Sequence, residues 1–124
     1  MLKMNYVIVG LGGAIGAILR YGVMNGLIGT LSAPIITLCI NSLGSFILGF
    51  LFYTFGQKSN RFYLFVTTGM LSGFTTFSTF SSDVVKLLQN EHYLHAAVIS
   101  VFSLLGCILF AYIGAVLAKV GLKR

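Results

Sequence analysis

The sequence is poor in charged residues. Its 124 residues include eight Lys or Arg and two Asp or Glu, so 8% are charged. An ordinary globular domain carries about 25% charged residues, and this chain cannot cover a water-facing surface in that way. Disordered chains are poor in apolar residues, whereas 57% of these residues are hydrophobic. The class that remains is an integral membrane protein.

Acidic residues are absent from the centre of every apolar run. The sequence places Asp83 and Glu91 beside a loop that also holds Lys86. Proton-coupled transporters and cation channels commonly need an intramembrane acid, so both classes are disfavoured. No basic stretch accompanies a soluble fold, so we expect no nucleic-acid partner.

Signals of catalysis are also lacking. Cys39 and Cys107 form no CxxC pair and have no metal-ligand spacing, so they are read as small buried hydrophobes. His92 and His95 have no third ligand nearby in the sequence. We find no nucleophile with a base and no phosphate-binding loop, and therefore predict that the chain is not an enzyme.

Charges separate the apolar runs into membrane spans of about 20 residues or more. The long uncharged stretch 21–57 must turn, and residues 29–34 supply Gly29 and the only proline, Pro34. We predict an all-α integral membrane protein, with residues 1–124 forming one four-helix transmembrane domain. The spans are placed near 4–28, 34–56, 62–88 and 93–118.

Short loops make consecutive spans antiparallel, so both termini share a side with the 57–61 loop. Six positive residues lie on that side and two on the other. They are Lys3, Lys58, Arg61, Lys119, Lys123 and Arg124 against Arg20 and Lys86. This bias predicts cytoplasmic termini of a multi-pass cell (plasma) membrane protein.

Glycines recur at a spacing of four, which allows close helix contact in lipid. The pairs are Gly12 with Gly16, Gly22 with Gly26, and Gly69 with Gly73. We expect tight helix packing at these positions.

The third span carries six hydroxyl side chains within residues 75–82, directly after Gly73. Such a cluster predicts a broken helix, and irregular backbone survives at membrane depth only beside protein or a water-filled cavity. A break also frees carbonyl and N–H groups that can hold ions. A Ser/Thr-rich packing face is an equally good interpretation of the composition alone.

Two phenylalanines, Phe77 and Phe80, share a face of this span. An aromatic edge is electropositive, so two edges suit a path for a small anion; ordinary lipid or core contact is the alternative.

Other spans carry polar side chains four residues apart. Thr37, Asn41 and Ser45 form a stripe in the second span, and Ser103 and Cys107 follow in the fourth. A mid-span amide must be bonded, so Asn41 is either a link between helices or a donor in a pathway.

Arg20 is the one charged residue embedded in the first half of the chain. It either snorkels to the headgroups or forms a positive vestibule that attracts anions. The polar groups available in the apolar runs come from Asn, Ser, Thr and Arg, which suit an anion better than a cation.

Three blocks give the chain its likeness to a known family, at residues 12–21 (GGAIGAILRY), 41–46 (NSLGSF) and 68–81 (TGMLSGFTTFSTFS). In order and spacing the sequence resembles the Fluc (CrcB) fluoride channel family over essentially its whole length. The resemblance implies an antiparallel dimer of four-helix subunits with a broken third helix and two fluoride pathways.

The resemblance also assigns roles to individual residues. Phe77 and Phe80 match the phenylalanines that line the pathway, and Asn41 matches its asparagine. Further pathway positions implied are Thr37, Thr79, Ser81, Ser103 and Cys107. A structural sodium ion at the dimer interface is expected on the backbone carbonyls of Ser72 and Thr75, although the family usually has Gly-Gly where this chain has Ser72-Gly73.

The function implied is passive export of fluoride from the cytoplasm. A homodimer inserted both ways should have nearly balanced positive charge on its two sides, and this chain has six residues against two. We therefore expect the chain to insert mainly in one orientation and to pair with an oppositely oriented relative. A second copy of the chain is the alternative partner.

Two other classes compete with the channel. A small multidrug transporter needs a membrane-embedded Glu in the first span, which this chain lacks. A non-transporting membrane scaffold would use the hydroxyls and phenylalanines for packing only.

Overall fold

A computed structural model describes residues 2–56 and 60–123. Lys58 and Arg124, which enter the charge count, lie outside the described residues, as do three positions of the predicted 57–61 loop. The described chain is almost entirely helical, which confirms the predicted all-α membrane class. Its helices are α1 (Leu2–Leu27), α2 (Ala33–Phe55), α3 (residues 61–74), α4 (Phe77–Gln89) and α5 (Tyr93–Leu122).

The turn between α1 and α2 forms where the sequence predicts it. Gly29 has a φ of +97°, a left-handed conformation that glycine adopts without strain. Ser32 lies at the start of α2, and Pro34 occupies its first turn. Proline is favourable there because its missing N–H would have had no helical partner.

Three helices, α1, α2 and α5, are long and apolar enough to cross a membrane. Neither α3 nor α4 is long enough to cross a membrane by itself, because each is only about 20 Å long at 1.5 Å per residue. A hydrocarbon core is about 30 Å thick. In α3 the middle stretch, Leu64–Leu71, is π-helical between the α-helical turns Arg61–Tyr63 and Ser72–Phe74.

The helices pack mainly as two pairs, α1 with α3 and α2 with α5, while α4 lies against α5 and α2. Glycine brings the first pair together as predicted. A Cβ on Gly16 would overlap the Met70 carbonyl oxygen, and one on Gly73 would overlap that of Gly13. The prediction fails for Gly22 and Gly26, which are exposed and meet nothing in their own subunit.

The buried apolar core is small. Ile36 and Ile40 of α2 are buried, as are Ala96 and Ile99 of α5. Most large apolar side chains face outward, where contact with lipid is favourable and contact with water is not.

Candidate functional site

The helical course of residues 61–89 stops at Thr75 and Thr76, as the sequence predicts. Both residues are extended, with φ/ψ of −78°/154° and −153°/119°. Thr76 then caps α4, because its Oγ1 accepts a hydrogen bond from the Thr79 N–H at 3.2 Å. The hydroxyl cluster thus starts a new helix as well as ending the old one.

Asn41 of α2 holds this break in place. Its Nδ2 donates to the Thr76 carbonyl oxygen at 3.0 Å, and its Oδ1 accepts from the Thr76 N–H at 2.8 Å. One side chain therefore satisfies both backbone groups of a residue that has left the helix. A second N–H of the amide stays available for another acceptor.

The break frees carbonyl groups at the end of α3. In a continuous helix the Thr76 N–H would bond the Ser72 carbonyl, but here it bonds Asn41. Ser72 itself is an ordinary right-handed helical residue, with φ −66° and ψ −34°. A serine therefore fits this position without strain, while the close approach to α1 falls on Gly73.

A groove of about 480 Å³ lies between α2, α4 and α5. It gathers five of the predicted pathway residues: Asn41, Phe77, Phe80, Ser103 and Cys107. Ser100, Leu104 and Ile108 complete its lining.

The two phenylalanine rings stand next to each other in this groove. The ring centres of Phe77 and Phe80 are 5.5 Å apart and their planes are tilted by 45°. Phe77 is 78% exposed, so one side of the groove is open in the single subunit.

A second cavity of about 250 Å³ adjoins the break. It shares Asn41, Phe77 and Cys107 with the groove. Its other lining is rich in hydroxyls: Ser45, Thr67, Ser72, Thr75 and Thr76, with Gly44, Leu48 and Leu71.

Several hydroxyls in and near the groove already take part in hydrogen bonds within the chain. Ser81 Oγ donates to the Phe77 carbonyl at 2.9 Å, and Ser100 Oγ donates to the Ala96 carbonyl at 2.7 Å. Thr79 Oγ1 accepts from Thr76 Oγ1 at 3.1 Å and lies outside both cavities.

Ser103 differs from these hydroxyls. It is only 7% exposed, and its Oγ has no hydrogen-bond partner among the described residues. A buried hydroxyl without a partner costs free energy. Among the described residues that line the groove, Ser103 therefore has a hydroxyl whose hydrogen-bonding capacity is unused.

Asp83 is the residue that the sequence misplaces. The sequence predicts it at the edge of a loop, but it is the seventh residue of α4 and only 5% exposed. Thr37 Oγ1 donates to Asp83 Oδ2 at 2.8 Å, which joins α2 to α4. The sequence does contain a signal for this position, because Asp83 follows Phe80 by three residues and such a spacing places two side chains on one helix face.

Three predicted pathway positions, Thr37, Thr79 and Ser81, therefore lie away from the groove, as does the predicted vestibule residue Arg20. Thr37 is only 1% exposed and its one proton is committed to Asp83. Arg20 is half-buried on α1, one turn beyond Gly16, and is not among the described residues that line either cavity.

Comparison with known proteins points to one family. The family model for "CrcB-like protein, Camphor Resistance (CrcB)" matches residues 7–115. A "Fluoride-specific ion channel FluC" of Methanococcus maripaludis is 41% identical over 110 residues, covering 87% of this chain and 90% of the relative. The "Fluoride-specific ion channel FluC" of Magnetococcus marinus is 42% identical over 116 residues, covering 90% and 94% of the two chains. A "Fluoride-specific ion channel FluC 2" of Lactobacillus acidophilus is 40% identical over 124 residues, covering 93% and 98%.

Proposed function

The chain belongs to the CrcB family, and from that membership we propose that it is a fluoride-specific ion channel. The family is one of transporters rather than enzymes, in agreement with the absence of catalytic motifs from the sequence. The observation that carries the proposal is the groove that unites Asn41, Phe77, Phe80 and Ser103 beside the broken helix.

Fluoride is small and strongly hydrated, so a pathway must replace its water with other donors. In the groove the unpartnered Ser103 hydroxyl, the second N–H of Asn41 and the Cys107 thiol supply them. The positive edges of the Phe77 and Phe80 rings add weak attraction.

Conduction also requires that the ion can leave. No Lys or Arg is among the described residues lining the groove, so no fixed cation holds fluoride there. Neutral donors and ring edges bind an anion weakly, which favours passage. We assign Arg20 to attracting anions from outside the groove rather than to binding them within it.

We further propose a structural sodium ion at the break. The groups suited to it are the backbone carbonyls of Ser72 and Thr75, which fits a hard cation because such ions prefer oxygen ligands. The helical partner of the Ser72 carbonyl is bonded elsewhere, so that oxygen is free to accept. When bound, the ion would supply positive charge and tie the broken helices together.

A second subunit completes the proposed channel. The groove is open beside the exposed ring of Phe77, and a four-helix subunit leaves that side uncovered. We propose an antiparallel dimer, formed by two copies of this chain or with an oppositely oriented relative. The termini of this chain face the cytoplasm in the cell membrane, and fluoride leaves the cell down its gradient.

Fluoride efflux from liposomes containing the purified protein tests the function. A fluoride electrode follows release, and chloride release serves as the control. Fast fluoride release with little chloride release is expected, whereas equal release of both ions would contradict a fluoride-specific pathway. Absence of release from this chain alone and also from its co-reconstitution with an oppositely oriented relative would refute the channel.

A further inference from the structure

The chain has two cysteines, and they lie on different faces of the α2–α5 pair. Cys107 lines the proposed fluoride groove and also the smaller cavity beside the break. Cys39 lines a separate apolar groove with Leu43, Phe46 and Phe102. Both thiols are free of disulfide bonds. The prediction that both are buried is wrong, because Cys39 is exposed and Cys107 is half-buried where the grooves open.

The surroundings of Cys107 are those of a site for a polar ligand. Ser103 lies four residues earlier in α5, on the same helix face, and lines the same groove. Its Oγ is buried and has no partner among the described residues. A thiol and an unsatisfied hydroxyl therefore share one wall of the groove, and Cys107 is one of three residues common to both cavities.

We propose that Cys107, with Ser103, forms a site for soft, thiophilic metal ions, and that such an ion closes the fluoride pathway. This inference rests on the proposed channel function. Thiolate sulfur is the side-chain ligand that soft metals prefer. With mercuric chloride the Cys107 S–H bond breaks and an S–Hg bond forms; the proton passes to water and one chloride leaves. Mercury keeps its other chloride, to which the Ser103 hydroxyl donates, and no atom is oxidised or reduced.

The position of the thiol explains why the adduct closes the path. Asn41, Phe77 and Cys107 mark the junction of the two cavities. A mercury chloride group fixed there occupies space that fluoride must cross and blocks the donors around it. The same adduct on Cys39 lies in the other groove and leaves the path open.

Fluoride efflux from liposomes, before and after mercuric chloride, tests this site. The chains compared are the wild type, Cys39→Ser, Cys107→Ser and Cys107→Ala, each scored against its own untreated rate. Mercury should cut efflux of the wild type and Cys39→Ser below about a tenth of that rate, since a pathway with an occluded site cannot conduct. Both Cys107 variants should keep most of theirs, and excess dithiothreitol should restore the blocked proteins.

Mass spectrometry of the treated proteins provides a readout independent of flux, with an adduct expected on Cys107. The site is refuted if Cys107→Ser and Cys107→Ala are blocked as strongly as the wild type, or if Cys39→Ser is spared. It is also refuted if Cys107 forms no adduct, or forms one while efflux continues. Absence of fluoride release before mercury is added, both from this chain alone and from its co-reconstitution with an oppositely oriented relative, would instead refute the proposed function, and this inference with it.

Discussion

At the residue scale, hydrogen bonds distinguish side chains that link helices, such as Thr37 and Asp83, from side chains proposed to line the pathway. The Thr37 hydroxyl donates its only proton in a 2.8 Å hydrogen bond to the buried Asp83 side chain. Ser103, by contrast, has a buried hydroxyl without a partner among the described residues. The hydrogen bond between Thr37 and Asp83 joins α2 to α4, whereas Ser103 lines the groove.

Thr37→Val should lower the free energy of unfolding by about 2 kcal/mol, because it leaves a buried acceptor without its donor. Asp83→Asn keeps an acceptor for Thr37 and should lower it less. In the double variant the two losses should not add, as expected of residues in direct contact. Unfolding in detergent micelles, followed by circular dichroism, measures these differences.

Thr54→Val is the matched control for this pair. Thr54 lies on the same helix, and its hydroxyl donates only to the Phe50 carbonyl one turn earlier. Its loss should be a small fraction of that at Thr37. Equal losses at the two threonines would show that the link to Asp83 contributes nothing.

At the element scale the break between α3 and α4 is the feature that organises the site. Thr75 and Thr76 interrupt the helix, and Asn41 binds both backbone groups of Thr76. That anchor fixes where α4 begins, and therefore where Phe77 and Phe80 stand. The rings are placed by a side chain from another helix.

Asn41→Ala should uncouple α4 from α2. Two buried backbone groups of Thr76 lose their partner, so a loss of about 2–3 kcal/mol in unfolding free energy is expected. Fluoride efflux should fall with it, since the phenylalanines lose their position. Ser45→Ala, one turn further along α2, serves as the control because Ser45 makes no hydrogen bond to a described residue. An Asn41→Ala protein as stable as Ser45→Ala would contradict the anchoring role.

Gly16→Ala should destabilise the α1–α3 pair by about 1–3 kcal/mol, the usual cost of forcing a methyl group into a packed contact. The added Cβ would overlap the Met70 carbonyl. Gly22→Ala is the comparison, because this glycine of the same helix meets nothing within its subunit. Unfolding in detergent should leave Gly22→Ala close to the wild type; a similar loss in both would mean that the contact at Gly16 is not special.

Several elements follow from the sequence because their cause is local. Long apolar runs produce α1, α2 and α5, and Gly29 with Pro34 marks the first turn. The hydroxyl cluster after Gly73 predicts the break. The π-helical stretch of α3, which packs against α1, has no comparable signal in the sequence.

The site was predictable in part. The spacing of Phe77 and Phe80 predicts their shared face, and the groove brings them to Asn41, Ser103 and Cys107. The prediction for Asp83 is wrong because it treats a charge as the mark of a loop, although the predicted span 62–88 contains this residue. Its burial depends on Thr37, 46 residues away, and such a partner is not visible in a local pattern.

On the scale of the whole molecule, one subunit presents an open groove and a strongly asymmetric distribution of positive charge. Six Lys or Arg are assigned to the terminal side and two to the other. A homodimer that inserts both ways needs nearly balanced charge. The asymmetry therefore favours an oppositely oriented relative as the second subunit.

A tag at the C-terminus, read from each side of the membrane in cells, measures this orientation. The charge bias predicts that most molecules place the tag in the cytoplasm. Substituting Lys119 and Lys123 by Gln should shift the population toward a mixture, because the positive residues set the orientation. A near-equal mixture in the unmodified chain would contradict the bias and favour the homodimer.

The proposed path of fluoride is the groove lined by Phe77 and Phe80. The most direct measurement is fluoride efflux from liposomes containing Phe80→Ile beside Phe102→Ile, with any required partner present in both. Phe102 precedes Ser103 in α5 but lines the opposite groove, so it controls for the same substitution. We predict that Phe80→Ile loses about tenfold or more of the efflux, since the aromatic edges are removed, while Phe102→Ile stays within about twofold of the wild type. Equal efflux from the two variants would contradict the account, because the phenylalanines would then serve packing alone.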